Sequence, residues 1–336
     1  MSLRDQILFS DAAKELTLIA QNSKIVIITD KNVSLLYRDK LFKKYNTIYV
    51  AGGERCKNLR TADDIYLKLM DMKADRETVI VGLGGGVVCD IAGFAAATYK
   101  RGCGLVLIPT TLLAQVDAAI GGKNGLNQNG FKNIIGTFRQ PDRIIIDTKF
   151  LKTLDRNNLN NGVAEIIKTS AVYDRKFFEK LEHRVIAELD EKKMLSVIKK
   201  TIRMKLSIVK DDPEEKGIRK ILNFGHTIGH ALELKLYWIH HGAAVSVGMV
   251  AACKLSSKLT GLSRKESDRL IECLKLNGLP VKISKLVSTP VIIESIIQDK
   301  KKSGVSIDII LLKNIGHPVI NRIEISRLRE LIDDIR

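Results

Sequence analysis

Histidine and carboxylate residues gather in the second half of the chain. His226 and His230 are four positions apart in a segment that favours helix, so both rings would lie on one helix face. His241 comes just before the predicted start of another helix, and Glu165 interrupts an otherwise apolar helical run. Two histidines and a carboxylate form a common catalytic zinc arrangement. Capping or core histidines with a surface glutamate would produce the same pattern, so spacing alone leaves both interpretations open.

A glycine-rich turn, residues 82–86, follows one predicted strand and opens a predicted helix. Glycines there allow a pyrophosphate to approach backbone N–H groups at a helix N-terminus. Val87 stands where the usual dinucleotide fingerprint has glycine, so the turn could bind a nucleotide or serve packing only. Asp30 ends the first predicted strand, where its carboxylate could accept ribose hydroxyls. Glu54 and Lys57 follow the second predicted strand, either as further contacts or as an ordinary solvated turn.

Polar residues also recur between positions 99 and 133. Asp117, Lys123, Lys132 and Asn133 stand singly among glycines and apolar residues, which favours a polar pocket over a surface. Lysine and asparagine side chains can bind phosphate and carboxylate oxygens. We therefore expect an anionic substrate near this segment.

The elements that must position these residues change character near residue 150. Short apolar strands are predicted at 24–29, 47–51, 78–81, 104–108 and 143–147, with helices at 33–45 and 60–73. Further on, helices are predicted at 161–173, 175–210, 222–236, 242–260 and 264–277, with a late strand pair at 305–312. The pattern predicts an α/β N-terminal Rossmann-like domain, residues 1–148, and a mostly α-helical C-terminal domain, residues 149–336. We expect the active site in a cleft between them.

Composition limits the class of protein. The net charge of +17 would attract polyanions, or steer a small phosphorylated substrate into a basic cleft. The sequence lacks a nucleic-acid-binding signature, a membrane-length apolar run and a signal-peptide core, so we expect a cytoplasmic protein with no nucleic-acid or membrane partner. Five scattered cysteines without CxxC spacing predict buried thiols and neither disulfides nor a thiolate zinc site.

The chain resembles the 3-dehydroquinate synthase family over most of its length, from about Thr29 to about Gly316. Several blocks in one order carry this resemblance and are more specific together than any one motif. The blocks are Gly84-Gly-Gly-Val-Val-Cys-Asp90, Ala97-Thr-Tyr-Lys-Arg101-Gly, Pro109-Thr-Thr-Leu-Leu-Ala-Gln-Val-Asp117, Gly121-Gly-Lys123, Lys132-Asn133, Ala164-Glu165-Ile-Ile-Lys168, Leu222-Asn223-Phe-Gly-His226-Thr-Ile-Gly-His230-Ala and His241-Gly242.

The resemblance implies a function for individual residues in these blocks and beside them. Zinc, or cobalt in its place, would be held by Glu165, His226 and His241. The residues similar to the family's NAD contacts are Asp30, Asn32, Glu54, Lys57, Gly85, Gly86, Asp90, Thr110, Thr111, Lys123, Lys132 and Thr153. Those similar to its catalytic positions are Asp117, Lys168, Lys205, Arg219, Asn223 and His230. Those similar to its substrate-binding positions are Lys123, Lys132, Asn133 and Arg101, the last reaching across a homodimer.

The implied reaction is the NAD-assisted, metal-dependent conversion of 3-deoxy-D-arabino-heptulosonate 7-phosphate to 3-dehydroquinate and phosphate. This is a carbon–oxygen lyase step of the shikimate pathway of aromatic amino acid biosynthesis. Ala243 and Asn124 replace a glutamate and a threonine usual in the family, which keeps sister sugar-phosphate cyclases as an alternative. Those enzymes make 2-deoxy-scyllo-inosose, 2-epi-5-epi-valiolone or amino-dehydroquinate. A metal-dependent polyol dehydrogenase is a second alternative.

Overall fold

A computed structural model describes residues 6–236, 238–282, 287–299 and 306–335. The chain divides into two compact units, residues 1–154 and 155–336, instead of at the expected boundary 148/149. Within the described residues, every helix is either too short or too polar to cross a lipid bilayer. All five cysteines are buried and unpaired, as predicted.

The first unit alternates strands and helices and then ends in a hairpin and a last strand. Its helices are α1 (Ala12–Asn22), α2 (Lys31–Tyr37), α3 (Leu59–Asp71) and α4 (Gly86–Thr98). Its strands are β1 (Ile7–Phe9), β2 (Ile25–Asp30), β3 (Asn46–Val50), β4 (Val79–Gly84), β5 (Gly104–Pro109), β6 (Lys123–Gln128), β7 (Phe131–Phe138) and β8 (Arg143–Ile146). The apolar runs of β2, β4 and β5 are buried because helices cover such a sheet on both faces.

Six of these strands form one parallel sheet in the order β1-β8-β5-β4-β2-β3. After β3 the chain returns past β2 to place β4 on its other side, so the direction of winding reverses between β2 and β4. Ligands of open parallel sheets bind at such a point, beyond the carboxyl ends of the strands. The α/β Rossmann-like prediction is therefore confirmed, and the reversal locates a candidate cofactor site.

The second unit is mostly helical. Its helices are α5 (Arg156–Tyr173), α6 (Arg175–Leu181), α7 (Glu191–Asp211), α8 (His226–Lys235), α9 (His241–Leu259), α10 (Arg264–Leu276), α11 (Thr289–Asp299) and α12 (Ile325–Ile335). Strands β9 (Ser306–Asn314) and β10 (His317–Glu324) pair antiparallel. Helices α8, α9, α11 and α12 and strand β9 share one apolar core. The helical C-terminal half of the fold prediction is confirmed.

Several predicted elements have different bounds. The single helix at 175–210 is wrong, because α6 ends at Leu181 and α7 begins at Glu191. Two aspartates mark these starts: Asp174 accepts from the backbone N–H of Phe177, and Asp190 from that of Lys193. Such N-caps are a sequence signal for a helix start.

Three further predicted elements also differ from the observed elements in their bounds or helix type. The predicted helix at 33–45 is an α-helix only to Tyr37 and continues as a π-helical turn, Arg38–Phe42. The predicted helix at 222–236 begins instead at His226, after a 3-10 turn, Ile218–Asn223. The expected late strands are longer than predicted, and Val305 lies outside the described residues.

A buried carboxylate, Glu266, ties α10 to neighbouring segments of the second unit. Its carboxylate accepts two hydrogen bonds from Arg175 in a bidentate arrangement, one from Arg269 and one from the backbone N–H of Ile315. Burial raises its pKa, but these four hydrogen bonds outweigh burial and hold the pKa below the ordinary 4.5. The network therefore stabilises the ionised form.

We expect Glu266→Gln to lower the free energy of unfolding by about 2 kcal/mol at neutral pH, because charged hydrogen bonds are lost. The folded-state pKa is depressed, so this contribution is fully present above the unfolded value of 4.5. It disappears as the pH falls through the folded-state pKa, and variant and parent should then converge. Urea titrations at neutral and acid pH measure the difference. Glu272→Gln, on the exposed side of α10, is the control, and equal stabilities at neutral pH would contradict the prediction.

Candidate active site

Three side chains of the second unit form a compact cluster of metal-ligand type. One oxygen or nitrogen atom from each of Glu165, His226 and His241 lies within 4.8 Å of the others. Oε1 of Glu165 is 3.2 Å from Nε2 of His241 and 3.6 Å from Nε2 of His226. Two imidazole nitrogens and one carboxylate oxygen match a zinc donor set that leaves a coordination position open. The residues therefore fit a divalent cation.

Local structure explains why these three side chains meet. Glu165 lies in the buried part of α5, and His226 and His241 are the first residues of α8 and α9. Gly225 precedes α8 with a φ of 79°, a left-handed conformation that favours glycine. Gly242 lies so close to α5 that an added Cβ would be 2.6 Å from the Cα of Asn161. The N-terminus of α9 therefore lies directly against α5.

In both histidine rings the Nδ1 atom faces away from the cluster centre and contacts an oxygen atom. Nδ1 of His226 is 3.3 Å from the carbonyl oxygen of Phe224, and Nδ1 of His241 is 3.3 Å from a carboxylate oxygen of Glu233. A hydrogen bond at Nδ1 places the proton there and directs the lone pair of Nε2 toward a metal. Sequence reasoning missed Glu233, although it lies seven positions after His226, two turns along the same helix.

Burial and neighbouring charges shift the pKa values of all three side chains in the cluster. Burial, followed by the Lys168 cation, lowers the pKa of His226 to about 3, so this ring is neutral. Burial opposes a charge on His241, but hydrogen bonds to Glu165 and Glu233 outweigh it and raise the pKa of His241 to about 10. Burial would also raise the pKa of Glu165, but Lys168 and the two histidines hold it well below its usual value.

His230, the other member of the predicted histidine pair, lies beside the cluster. Its ring centre is 5.0 Å from that of His226 and 6.5 Å from that of His241. The ligand group that the structure brings together contains His241 and not His230. His230 therefore lies next to the ligand group without belonging to it.

Buried basic residues are unusually informative in this chain. Of its 55 lysines and arginines, four are buried among the described residues: Lys57, Lys168, Lys205 and Arg219. Burying a cation is costly unless it is paired or used, so buried cations are candidates for function. All four belong to the set implied by the family resemblance. Lys168 pairs with Glu165, and Lys205 lies on α7, which packs against α5.

Arg219 and Asn223 are connected through Glu215. Asn223 donates a hydrogen bond of 2.6 Å to Oε1 of Glu215, while Nε of Arg219 is 3.9 Å from Oε2. Asp212 shapes the preceding turn by accepting from the backbone N–H groups of Gly217 and Arg219. The side chains of Arg219 and Asn223 are therefore held close together, both beside the carboxylate of Glu215.

In the first unit, the predicted cofactor residues collect at one edge of the sheet. Because β2, β3, β4 and β5 are parallel, the segments that follow them meet at their carboxyl ends. Gly85 caps α4 with extended backbone, and a Cβ on it would be 3.3 Å from Thr111. Asp30 caps α2 through Oδ1, accepting from the backbone N–H groups of Asn32 and Val33. Thr110 donates its backbone N–H to Gly84.

A polar network joins this edge to the hairpin formed by β6 and β7. Lys57 contacts the carboxylate of Asp90 and the side-chain oxygen of Asn133. Asn127 donates through Nδ2 to Glu54 at 2.8 Å and accepts from the backbone N–H of Asn133 at 2.8 Å. Its own backbone N–H donates to the carbonyl of Lys57. Asn127, which sequence reasoning missed, therefore joins predicted cofactor residues to a predicted phosphate residue.

We expect Asn127→Ala to weaken NAD binding by about 30-fold, because two side-chain hydrogen bonds of about 1 kcal/mol each are lost. Calorimetric titration of the full chain with NAD measures the change. Gln128→Ala is the neighbouring control. A dissociation constant equal to that of the parent would contradict a positioning function for Asn127.

The remaining predicted residues lie on the hairpin and on neighbouring segments of the first unit. Lys123 and Asn133 are exposed on the hairpin, and the polar pocket expected there stays a prediction. Thr153 contacts the Tyr37 hydroxyl at 2.6 Å. The functions of Arg101, Asp117 and Lys132 stay predictions.

Asn124, one of the departures from the family pattern, has a structural explanation. Its side chain is buried and donates to the carbonyl oxygens of Gly122 and Arg139. It also packs against Gly93 of α4, where a Cβ would clash with it at 1.7 Å. The residue therefore fixes the base of the hairpin.

Fold and site together define a chain of two units, the first with a parallel Rossmann-like sheet and the second with a histidine–carboxylate cluster of metal-ligand type. Sequence models of the N-terminal and C-terminal parts of 3-dehydroquinate synthase match residues 47–161 and 162–302. The 3-dehydroquinate synthase of Thermoanaerobacter pseudethanolicus is 41% identical over 90% of this chain and 88% of its own length. The chain belongs to the 3-dehydroquinate synthase family.

Two solved structures of related cyclases are also similar. The 2-epi-5-epi-valiolone synthase of Streptomyces hygroscopicus, with NAD+ and Zn2+ bound, has a TM-score of 0.88 and 26% identity. A 2-deoxy-scyllo-inosose synthase complexed with carbaglucose-6-phosphate, NAD+ and Co2+ has a TM-score of 0.86 and 25% identity. Each comparison covers 98% of this chain and 96% of the other.

Proposed function

We propose that this chain is a 3-dehydroquinate synthase, which converts 3-deoxy-D-arabino-heptulosonate 7-phosphate to 3-dehydroquinate and phosphate. The observation that carries the proposal is the set of buried charged residues in the second unit. Glu165, Lys168, Lys205 and Arg219 are kept out of water, and each lies within the region that the family's C-terminal model matches. Buried ionic groups at that density are typical of a site that handles charged substrate atoms.

Glu165, His226 and His241 would hold a zinc ion, with cobalt as a possible substitute. The carboxyl edge of the sheet, with Asp30, Gly85 and their neighbours, would hold NAD. When bound, the metal supplies a Lewis acid for a substrate oxygen, and NAD supplies reversible hydride transfer. The two similar cyclase structures, which contain NAD+ with Zn2+ or Co2+, support this assignment.

The chain's own residues account for binding and proton transfer. Arg219 and Asn223, held on one turn by Asp212 and Glu215, would bind the substrate carboxylate. His230, beside the ligand cluster, would exchange protons with a substrate hydroxyl. Lys168, already paired with Glu165, would hold negative charge on a neighbouring substrate oxygen. Asn133, linked to Lys57, would lie near the substrate phosphate.

The sister cyclases are the second candidate function. Their two structures are 25–26% identical to this chain, whereas the 3-dehydroquinate synthase relative is 41% identical, which favours the shikimate substrate. The contacts of Asn124 with Gly122, Arg139 and Gly93 give this departure a structural function, which supports the first candidate. Ala243, in the first turn of α9, is another departure from the family pattern.

A substrate panel tests the proposal. The enzyme with NAD and zinc is incubated separately with the seven-carbon sugar acid phosphate, glucose 6-phosphate and sedoheptulose 7-phosphate. We expect phosphate release and 3-dehydroquinate only from the sugar acid phosphate, with no net accumulation of NADH because the hydride returns in each turnover. Turnover only of another sugar phosphate would assign the chain to a sister cyclase. NADH rising in step with product would indicate a polyol dehydrogenase.

A cytoplasmic homodimer with Arg101 at the partner's site belongs to the same proposal. Arg101 is exposed and has a φ of 67°, at the end of the 3-10 turn that follows α4. An exposed arginine is suited to bind a phosphate from a neighbouring subunit.

A further inference from the structure

Glu233 is a carboxylate in contact with the ligand cluster that no predicted function uses. Its side chain is 9% exposed and belongs to α8, two helical turns after His226. Oε1 of Glu233 lies 3.3 Å from Nδ1 of His241, on the opposite side of the ring from Glu165. His241 is therefore held between two carboxylates.

The two histidines of the cluster are oriented by different acceptors. The Nδ1 atom of His226 faces a neutral carbonyl oxygen, whereas the Nδ1 atom of His241 faces a carboxylate. His241 is also the more exposed of the two side chains, at 25% against 10%. A ring that is less enclosed by packing depends more on a hydrogen bond to hold its orientation. A carboxylate partner also makes the opposite nitrogen a stronger donor to a metal.

The charges around the cluster also indicate that Glu233 contributes to cation binding. Metal binding requires both imidazoles to be neutral, and the Glu165 and Glu233 carboxylates and the Lys168 ammonium group then have charges that sum to −1. A divalent cation would bring this to +1. Without Glu233 the same buried group would reach +2, which a low-dielectric site disfavours.

We propose that Glu233 is a positioning residue that orients His241 and sets the affinity of the cluster for a divalent cation. This inference rests on the metal centre of the proposed function. It requires the Nδ1 proton of His241 to be donated to Glu233 while Nε2 faces the position between Glu165 and His226.

Metal affinity tests the proposal directly. Metal-free parent, Glu233→Gln and Glu233→Ala proteins are titrated with Zn2+ and Co2+ against a competing chelator. We expect the dissociation constant to rise about tenfold for glutamine, which keeps a hydrogen-bond acceptor, and about 100-fold for alanine. The absorption spectrum of bound Co2+ should also change, since it reports ligand geometry. Glu233→Asp should recover part of the affinity lost in the alanine variant.

Glu272→Gln is the matched control, because its carboxylate is 66% exposed and pairs with Lys275 on α10. Unfolding of the metal-free proteins separates the proposed function of Glu233 from a purely structural one. A lower unfolding midpoint with unchanged affinity and an unchanged Co2+ spectrum in both folded variants overturns the inference. A parent protein that binds neither ion would instead overturn the metal centre itself, and the inference with it.

Discussion

A His226→Ala variant should bind no zinc and should lose turnover by about 10³-fold or more. The ligand atoms converge on one oxygen of Glu165, and removal of one of three ligands leaves an incomplete site. A metal ion contributes several kcal/mol to stabilisation of developing charge, and about 4 kcal/mol corresponds to about 10³-fold in rate. Metal analysis of the purified variant and phosphate release from the sugar acid phosphate are the two measurements.

His240→Ala is the matched control for this experiment. His240 is adjacent to His241 in the chain, but it is exposed and lies outside the ligand group. It should retain full zinc occupancy and near-normal turnover. Full zinc occupancy in His226→Ala would show that the ligand assignment is wrong.

Lys168→Met should have its largest effect on the metal-free protein. Lys168 and Glu165 are both essentially buried and pair directly on one face of α5. Removing one partner of a buried ion pair leaves an uncompensated charge, which costs about 3–5 kcal/mol. We expect the free energy of unfolding of the metal-free variant to fall by that amount, together with a large loss of turnover.

Zinc should reverse much of the stability loss in Lys168→Met. The zinc cation would neutralise the Glu165 carboxylate. Because the variant lacks the Lys168 charge that repels the cation, zinc should bind the variant more tightly than it binds the parent. Urea unfolding with and without zinc measures both effects. Lys193→Met is the control, because the Lys193–Asp190 pair is exposed and should contribute less than about 1 kcal/mol. Equal metal-free stabilities of Lys168→Met and parent would contradict the prediction.

Local sequence patterns were sufficient where a segment is both buried and regular. The strands β2, β4 and β5 were predicted within one to three residues of their observed ends, because apolar β-branched runs are typical of a covered parallel sheet. The hairpin of β6 and β7 was missed. Its strands contain Asn124, Gly125, Asn133 and Gly136, residue types that are uncommon in strands, and their pairing is set by the partner strand.

The break between α6 and α7 was missed for a different reason. The segment 182–190 contains neither glycine nor proline, so helical periodicity appeared to continue. The N-capping aspartates at 174 and 190 were available signals, but a cap is also compatible with an exposed aspartate inside a helix. In the folded chain the Asn277 side chain accepts from the backbone N–H of Ile186 and donates to the backbone carbonyl of Arg184. These backbone groups would bond within the helix if the helix were continuous.

The sequence by itself determined the two-part fold, the family and the residue types that the site would use. Spacing alone could not choose between His230 and His241 as partners of His226, because the i, i+4 spacing favours His230 equally well, although the family resemblance implies His241. The tertiary structure supplied the physical reason, by packing the start of α9 against α5 at Gly242 and bringing His241 to Glu165 across 76 positions of sequence. It also revealed Glu233, Asn127 and Glu215. Contacts of this kind depend on how helices and hairpins pack against one another, and periodicity along a single segment carries no information about that packing.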